Sequence, residues 1–169
     1  NIKDERLRCS IELQRAFGLR REEALKFQPS YALAGGNPGI VRLKASWCKG
    51  GRAREIPIRN DYQKAVLARA AMLAGAGSMI PVGQTYVERL KQYENTTNFL
   101  GLSRLHGLRH AYAQDRYKEL TGWECPARGG PTNKQLDPEQ KEADRSARLI
   151  ISNELGHNRE NITAVYLGR

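Results

Sequence analysis

The feature that most constrains this chain is how little of it alternates. One stretch, 40–58, carries the every-other-residue apolar spacing of strands. Elsewhere apolar residues recur at three- and four-residue intervals, in blocks closed by Gly or Pro, as amphipathic helices require. Leu7, Ile11 and Leu13 mark a helix over 6–17, which Gly18 interrupts. Ala24, Leu25 and Phe27 mark another over 20–27, which Pro29 is expected to stop. Residues 34–39 (AGGNPG) read as a loop. Ile40, Val41, Leu43, Ala45 and Trp47 then mark one strand and Ala53 to Ile58 a second, with Lys49-Gly50-Gly51 as hairpin turn. Pro57 lacks a ladder donor, so the second strand is expected at an edge.

Helices are predicted again over 61–74, with Asp61 as cap and Gly75 as stop, over 84–94, and over 105–120 up to Gly122. Residues 123–140 hold three Pro and two Gly and read as a long surface loop. A helix over 141–155 ends at Gly156, and Asn158 is expected to cap a last short one carrying Ile162, Val165, Tyr166 and Leu167. These elements make a mainly α chain with one small antiparallel sheet, an α+β fold, as a single domain over 1–169.

Charge narrows the partner. Lys and Arg number 28 against 18 Asp and Glu, a net +10, and residues 1–60 hold +7 of it. Such an excess on one domain points to a polyanion, and nucleic acid is the commonest; a polybasic membrane-surface protein is the rival. No apolar run approaches the roughly 20 residues of a membrane span, and no secretory signal opens the chain. Cys9, Cys48 and Cys125 are odd in number and far apart, which argues against a disulfide framework and for a reducing compartment. Within 42–59, Arg42, Lys44, Lys49, Arg52, Arg54 and Arg59 face Glu55 alone. That is either a solvated basic face or a phosphate-tracking edge. On the second reading Arg42, Lys44, Arg52 and Arg54 contact DNA.

Four short motifs carry chemistry. In His106-Gly107-Leu108-Arg109-His110, His106 and Arg109 share a face near a helix N-terminus, a setting that suits an anion. His106 and His110 have zinc-ligand spacing, but the Glu of an HExxH site is missing and no further ligand pair is visible. Taken alone, the motif is equally a capping His beside a surface Arg. Leu155-Gly156-His157 is followed nine residues later by Tyr166, which alone reads as core. Gly18-Leu19-Arg20-Arg21-Glu22-Glu23 offers an ordinary Arg20–Glu23 pair, and Lys49 an ordinary turn lysine.

In chain order, however, these pieces resemble the catalytic domain of the tyrosine recombinases, the phage-integrase family, over nearly the whole chain. The resembling elements are G-L-R-x-x-E at Gly18 to Glu23, K-G-x-x-x-R at Lys49 to Arg54, H-x-L-R-H at His106 to His110, and L-G-H at Leu155 to His157 ahead of Tyr166. The resemblance implies a recombinase of double-stranded DNA that needs neither metal nor cofactor. Tyr166 would attack the scissile phosphate to give a 3′-phosphotyrosine link. Arg20 and Arg109 would clamp the phosphate, His157 would donate to it, and Lys49 would protonate the leaving 5′-oxygen. His106 would take or steer the tyrosine proton. Glu23 would buttress its helix or His106, and His110 would support the site.

The resemblance further implies a tetramer on DNA, with this piece alone a monomer, and a bacterial, phage or mobile-element protein acting in the cytoplasm at the nucleoid. The opening Asn1 and the end three residues after Tyr166 imply a missing N-terminal DNA-clamping domain and C-terminal tail. The His110–His157 interval is about twenty residues longer than the family's usual one, which maps an insertion onto 123–140. Competing readings are a catalytically silent DNA-binding module, a type IB topoisomerase, and a metal-dependent nuclease on His106 and His110.

Overall fold

The computed structural model describes residues 1–102, 104–157 and 163–169. Helix α1 (Glu5–Phe17) is capped by Asp4, whose carboxylate accepts from the Leu7 amide at 3.0 Å, and it closes on Gly18 at φ +66°. Its apolar face packs on α4 (Asp61–Ala74) and α6 (Gly107–Thr121). Helix α2 (Arg21–Lys26) follows. It stops at Lys26, before Pro29 as expected, and Pro29 then opens a further turn, α3 (Pro29–Ala32), because proline at the first helical position loses no hydrogen bond.

The hairpin is shorter than its alternation suggests. Strands β1 (Ile40–Leu43) and β2 (Arg54–Pro57) pair antiparallel, with Ile40 opposite Pro57 and Leu43 opposite Arg54. Ala45–Trp47, expected as strand, is a 3-10 turn. That turn rotates the Trp47 ring onto Phe27 and Tyr31, at centroid distances of 5.9 and 5.5 Å. A second turn, Lys49–Gly51, follows, with Gly50 and Gly51 both at positive φ.

Asn60 rather than Asp61 caps α4, accepting from the Gln63 amide at 2.8 Å; Asp61 sits one position inside. Thr85 and Glu88 box the start of α5 (Tyr86–Phe99), which runs five residues beyond the expected end. Helix α6 ends at Gly122, φ +88°. The stretch 123–137 is not a free surface loop. It forms two 3-10 turns, Pro126–Arg128 and Asn133–Gln135, and it buries Cys125 and Leu136. Asp137 and Pro138 then start α7 (Pro138–Glu154), earlier than expected, because together they supply a cap and a first-position proline. A short α8 (Ala164–Leu167) carries Tyr166. The predicted cap Asn158, and Ile162, lie outside the described residues.

One core holds these elements, including Leu13, Phe17, Phe27, Val41, Ile56, Tyr112, Tyr117, Ile151 and Leu167. A smaller cluster of Leu7, Leu25 and Tyr93 seats α5 beside α1 and α2. Cys9, Cys48 and Cys125 are buried free thiols. Among the described residues no helix is long and apolar enough to cross a membrane.

Candidate active site

The site is organised on Arg109, which α6 plants in the protein interior with 2% of its surface exposed. A guanidinium cannot be left unpaired there, and its N–H fork is satisfied by three other parts of the chain. Nη1 donates to the Gly18 carbonyl at 2.6 Å, Nη2 to the Leu155 carbonyl at 3.0 Å, and Nε to the Tyr166 hydroxyl at 3.4 Å. His157 Nε2 lies 3.4 Å from the same Nη2. One side chain therefore joins the first motif, the third motif and the tyrosine. Gly18 is required where it stands, since a Cβ there would meet the Tyr112 ring at 2.7 Å and the backbone is left-handed.

The second arginine is set by a buried carboxylate. Glu23 is fully buried and accepts from the Arg20 amide at 2.8 Å and from Arg20 Nη1 at 3.1 Å. Arg54 grips the same carboxylate with both terminal nitrogens, at 2.6 and 2.7 Å, and its Nε donates to the Glu154 carbonyl at 2.8 Å. Arg54, expected on a DNA-facing edge, is thus turned inward, with 6% of its side chain exposed. The reason is the buried Glu23: Arg20 gives its carboxylate one side-chain hydrogen bond, and Arg54 supplies the further donors that its two buried oxygens need. Burial pushes the Glu23 carboxyl up, but Arg54 and Arg20 more than offset this and hold it below the ordinary carboxylate range. Gly156 lets both arginines approach, since a Cβ there would lie 3.0 Å from Arg54 and 3.1 Å from Arg20.

Around Tyr166 the rings close in. His110 stands 4.7 Å from its centroid, His106 6.1 Å and His157 6.2 Å. Burial and the neighbouring arginines, Arg109 first, depress His157 to about 4. The same two causes lower His106 and His110. All three are neutral imidazoles near pH 7, able to accept a proton. Tyr166 is 5% exposed, yet it is not an isolated core tyrosine, because its hydroxyl rests on Arg109.

Arg20, Lys49, His106, Arg109 and Tyr166 line one cleft of about 580 Å³, continued by Glu94, Thr97 and Asn98 of α5. Lys49 reaches it from the exposed turn after β1. The hairpin's other cations differ. Arg42 and Lys44 lie over the Tyr31 ring at 4.7 and 4.8 Å, and Arg42 also donates to the Tyr31 carbonyl. Arg52 is exposed. Among the described residues no cluster of three or more His, Cys, Asp or Glu side chains is arranged to hold a metal ion. His106 and His110 stand 5.4 Å apart between centroids, with no further ligand-type cluster around them among the described residues.

One residue of the site, Gln114, escapes the sequence reading, and one, Arg54, is assigned there to DNA contact instead of to Glu23. Arg54 was visible, but the burial of its partner was not. Gln114 donates to the Tyr166 carbonyl at 2.9 Å. Its only sequence signal is that it follows His110 by four positions and so shares that helix face.

The chain resembles known proteins in sequence family and in fold. The model of a family described as Integrase matches residues 1–115, a span that includes Arg20, Lys49, His106 and Arg109. Two solved structures of the XerH site-specific recombinase share the fold. One is a post-cleavage complex bound to palindromic difH substrate, the other a pre-cleavage complex bound to difH substrate. Each is 19% identical to this chain, superposes with a TM-score of 0.55 and covers 98% of it. The chain spans less than half of theirs, 43% and 44%. No curated protein matches the sequence.

Proposed function

Because the chain belongs to the integrase family, we propose that it forms the catalytic domain of a tyrosine-type site-specific DNA recombinase, cutting and rejoining strands through Tyr166 without a metal. The single observation that carries this reading is the meeting of the Tyr166 hydroxyl with the buried Arg109, ringed by His106, His110 and His157, beside a cleft that Arg20, Lys49 and His106 line.

In the proposed reaction the Tyr166 oxygen attacks phosphorus and forms the new P–O bond. The bond from phosphorus to the 5′-oxygen breaks, and that oxygen leaves as a free hydroxyl. His106, neutral and beside the ring, takes the phenolic proton. Lys49, on an exposed turn, supplies a proton to the leaving oxygen. Arg20 and Arg109 face the non-bridging oxygens, where planar, permanently charged forks stabilise the extra negative charge of the transition state. The buried Glu23–Arg54 pair fixes the Arg20 backbone and side chain, so this stabilisation needs no rearrangement during the reaction. The phosphotyrosine link conserves the bond energy, and attack by another strand's 5′-hydroxyl runs the steps backward.

The test is a nicked DNA duplex library, randomised around the nick, incubated with the full chain in EDTA and quenched with SDS. The expected result is a covalent adduct for wild type and none for Tyr166→Phe. An adduct that persists in Tyr166→Phe overturns the nucleophile. Absence of any adduct in wild type overturns the enzyme in favour of a DNA-binding module.

A further inference from the structure

Residues 123–137 take no part in the chemistry proposed above, yet they are wedged against the helix that carries Tyr166. The turn Pro126–Arg128 packs on the end of α8, where a Cβ on Gly168 would lie 3.0 Å from the Ala127 nitrogen and 3.2 Å from Pro126. The turn is itself fixed. Cys125 beneath it is fully buried, the Arg128, Gly129 and Gly130 amides close back on Cys125 and Pro126, and Gly130 leaves no room for a Cβ against the Glu124 carbonyl.

Gln114 of α6 connects this turn to the tyrosine. Its Oε1 accepts from Arg128 Nε at 2.8 Å, and its Nε2 donates to the Tyr166 carbonyl at 2.9 Å. Arg128 Nη1 also pairs with Asp115 at 2.6 Å, and the other Asp115 oxygen takes Arg15 of α1 at 2.6 Å. The chemistry of the groups gives the arrangement a direction. Arginine only donates, so it claims the amide oxygen of Gln114 and leaves the amide nitrogen facing Tyr166. A helix of one turn cannot hold itself in water, so the pose of α8 is set by what it packs against, Tyr166 and Leu167 being buried, and by what its backbone bonds to outside.

We infer that Gln114 and Arg128 are positioning residues for Tyr166: the 123–137 stretch orients the Gln114 amide, and the amide fixes the tyrosine's backbone so that its hydroxyl stays on Arg109. The inference rests on the reading of Tyr166 as the nucleophile. Displacing a reacting atom by about 1 Å commonly costs on the order of a hundredfold in rate, so loss of either residue slows the covalent step without touching DNA affinity.

The experiment compares Gln114→Leu, Gln114→Glu, Arg128→Ala and Arg128→Lys with wild type in the full chain. It reads amide hydrogen exchange over 163–169, the single-turnover rate of adduct formation, and the dissociation constant for DNA. Gln114→Leu and Arg128→Ala are expected to speed exchange over 163–169 and to slow the adduct by about tenfold or more at unchanged DNA affinity. Arg128→Lys, which keeps a donor for the amide oxygen, restores part of the rate. Gln114→Glu separates positioning from general bracing. A carboxylate pairs more strongly with Arg128 but has no donor for the Tyr166 carbonyl, so it behaves like Gln114→Leu. Wild-type behaviour of Gln114→Glu, or unchanged exchange in Gln114→Leu, overturns the inference. If Gln114→Leu fails to fold, Arg128→Ala, at a third-exposed side chain, decides. If wild type forms no adduct while the exchange pattern appears as expected, the nucleophile reading falls and the bracing of α8 by Gln114 stands.

Discussion

Arg109 shows how a single residue can be both a structural keystone and a chemical group. Its bonds to Gly18, Leu155 and Tyr166 keep a cation buried that would otherwise be costly. That cation, after burial, also lowers the pKa of the three histidines beside it. His157 feels burial first, then Arg109 from α6, Arg20 from the start of α2 and Arg54 from β2, with Glu23 alone pulling the other way. The result is a folded-state value of about 4, below the ordinary imidazole value of about 6.5. A depressed value means that the unfolded chain binds the proton more readily. The neutral imidazole's contribution to stability is therefore complete above about pH 6.5 and is lost as pH falls toward 4. His157→Gln keeps a hydrogen-bonding side chain and does not titrate. The denaturation midpoint of wild type is therefore expected to fall more than that of His157→Gln between pH 7 and pH 5. Parallel midpoints across that range would mean that His157 does not sit in the arginines' field. A bound phosphate supplies the opposite charge and is expected to raise the histidine again, so duplex DNA should shrink the difference.

At the scale of elements, the hairpin delivers Lys49 and the helices hold everything else. β1 and β2 are each four residues long and tied to the body at Arg54 and Trp47, while the turn between them is exposed. A general acid on such a turn can follow the leaving oxygen, at the cost of less rigid placement. Lys49→Ala is expected to leave thermal stability unchanged and to slow cleavage by about a hundredfold or more. A substrate whose bridging 5′-oxygen is replaced by sulfur, a better leaving group that needs no proton, is expected to recover most of that loss. Equal slowing on both substrates would remove Lys49 from the proton-transfer step. The lysine's element was legible in the sequence because alternation and paired glycines mark a hairpin. The helix ends at Gly18, Gly75 and Gly122 were legible for a similar reason: glycine there has a backbone cause. The misreadings arose where a local signal has two meanings. Pro29 stops one helix and also starts another. The proline- and glycine-rich 123–137 has the composition of a loop, but Cys125 is buried in the core and Trp123 packs half-buried against it, which makes the stretch a wedge. Arg54 had the spacing of a surface cation, and only the fully buried Glu23 turned it inward.

Taken whole, the molecule uses its charge unevenly. The first 60 residues hold 13 Lys and Arg against 6 Asp and Glu, but many of those cations are engaged within the protein. Arg15 pairs with Asp115, Arg21 with Glu94, Lys26 with Glu22, Arg54 with Glu23 and Arg59 with Glu119. What reaches solvent beside the cleft is a smaller set, in which Lys49 and Arg52 stand on the exposed hairpin turn and Arg20 lines the wall. The fold thus leaves a positive rim of Arg20, Arg21 and Lys49 on the cleft that His106 and Tyr166 also line. Such a rim draws in a phosphate. The count of displaced counterions on binding duplex DNA should then follow the rim and not the net charge. About three to five phosphate contacts correspond to a loss of affinity of roughly fortyfold to five-hundredfold between 50 and 200 mM salt. A titration of duplex DNA across that range, followed by fluorescence anisotropy, measures the slope. A flat response removes DNA as the partner. A slope near ten would mean that the internally paired arginines release their carboxylates for phosphates, so the basic face would be remade on binding. A slope of three to five places the contact on the hairpin turn and cleft wall, and Lys49→Ala and Arg52→Ala should then each lower it by about one.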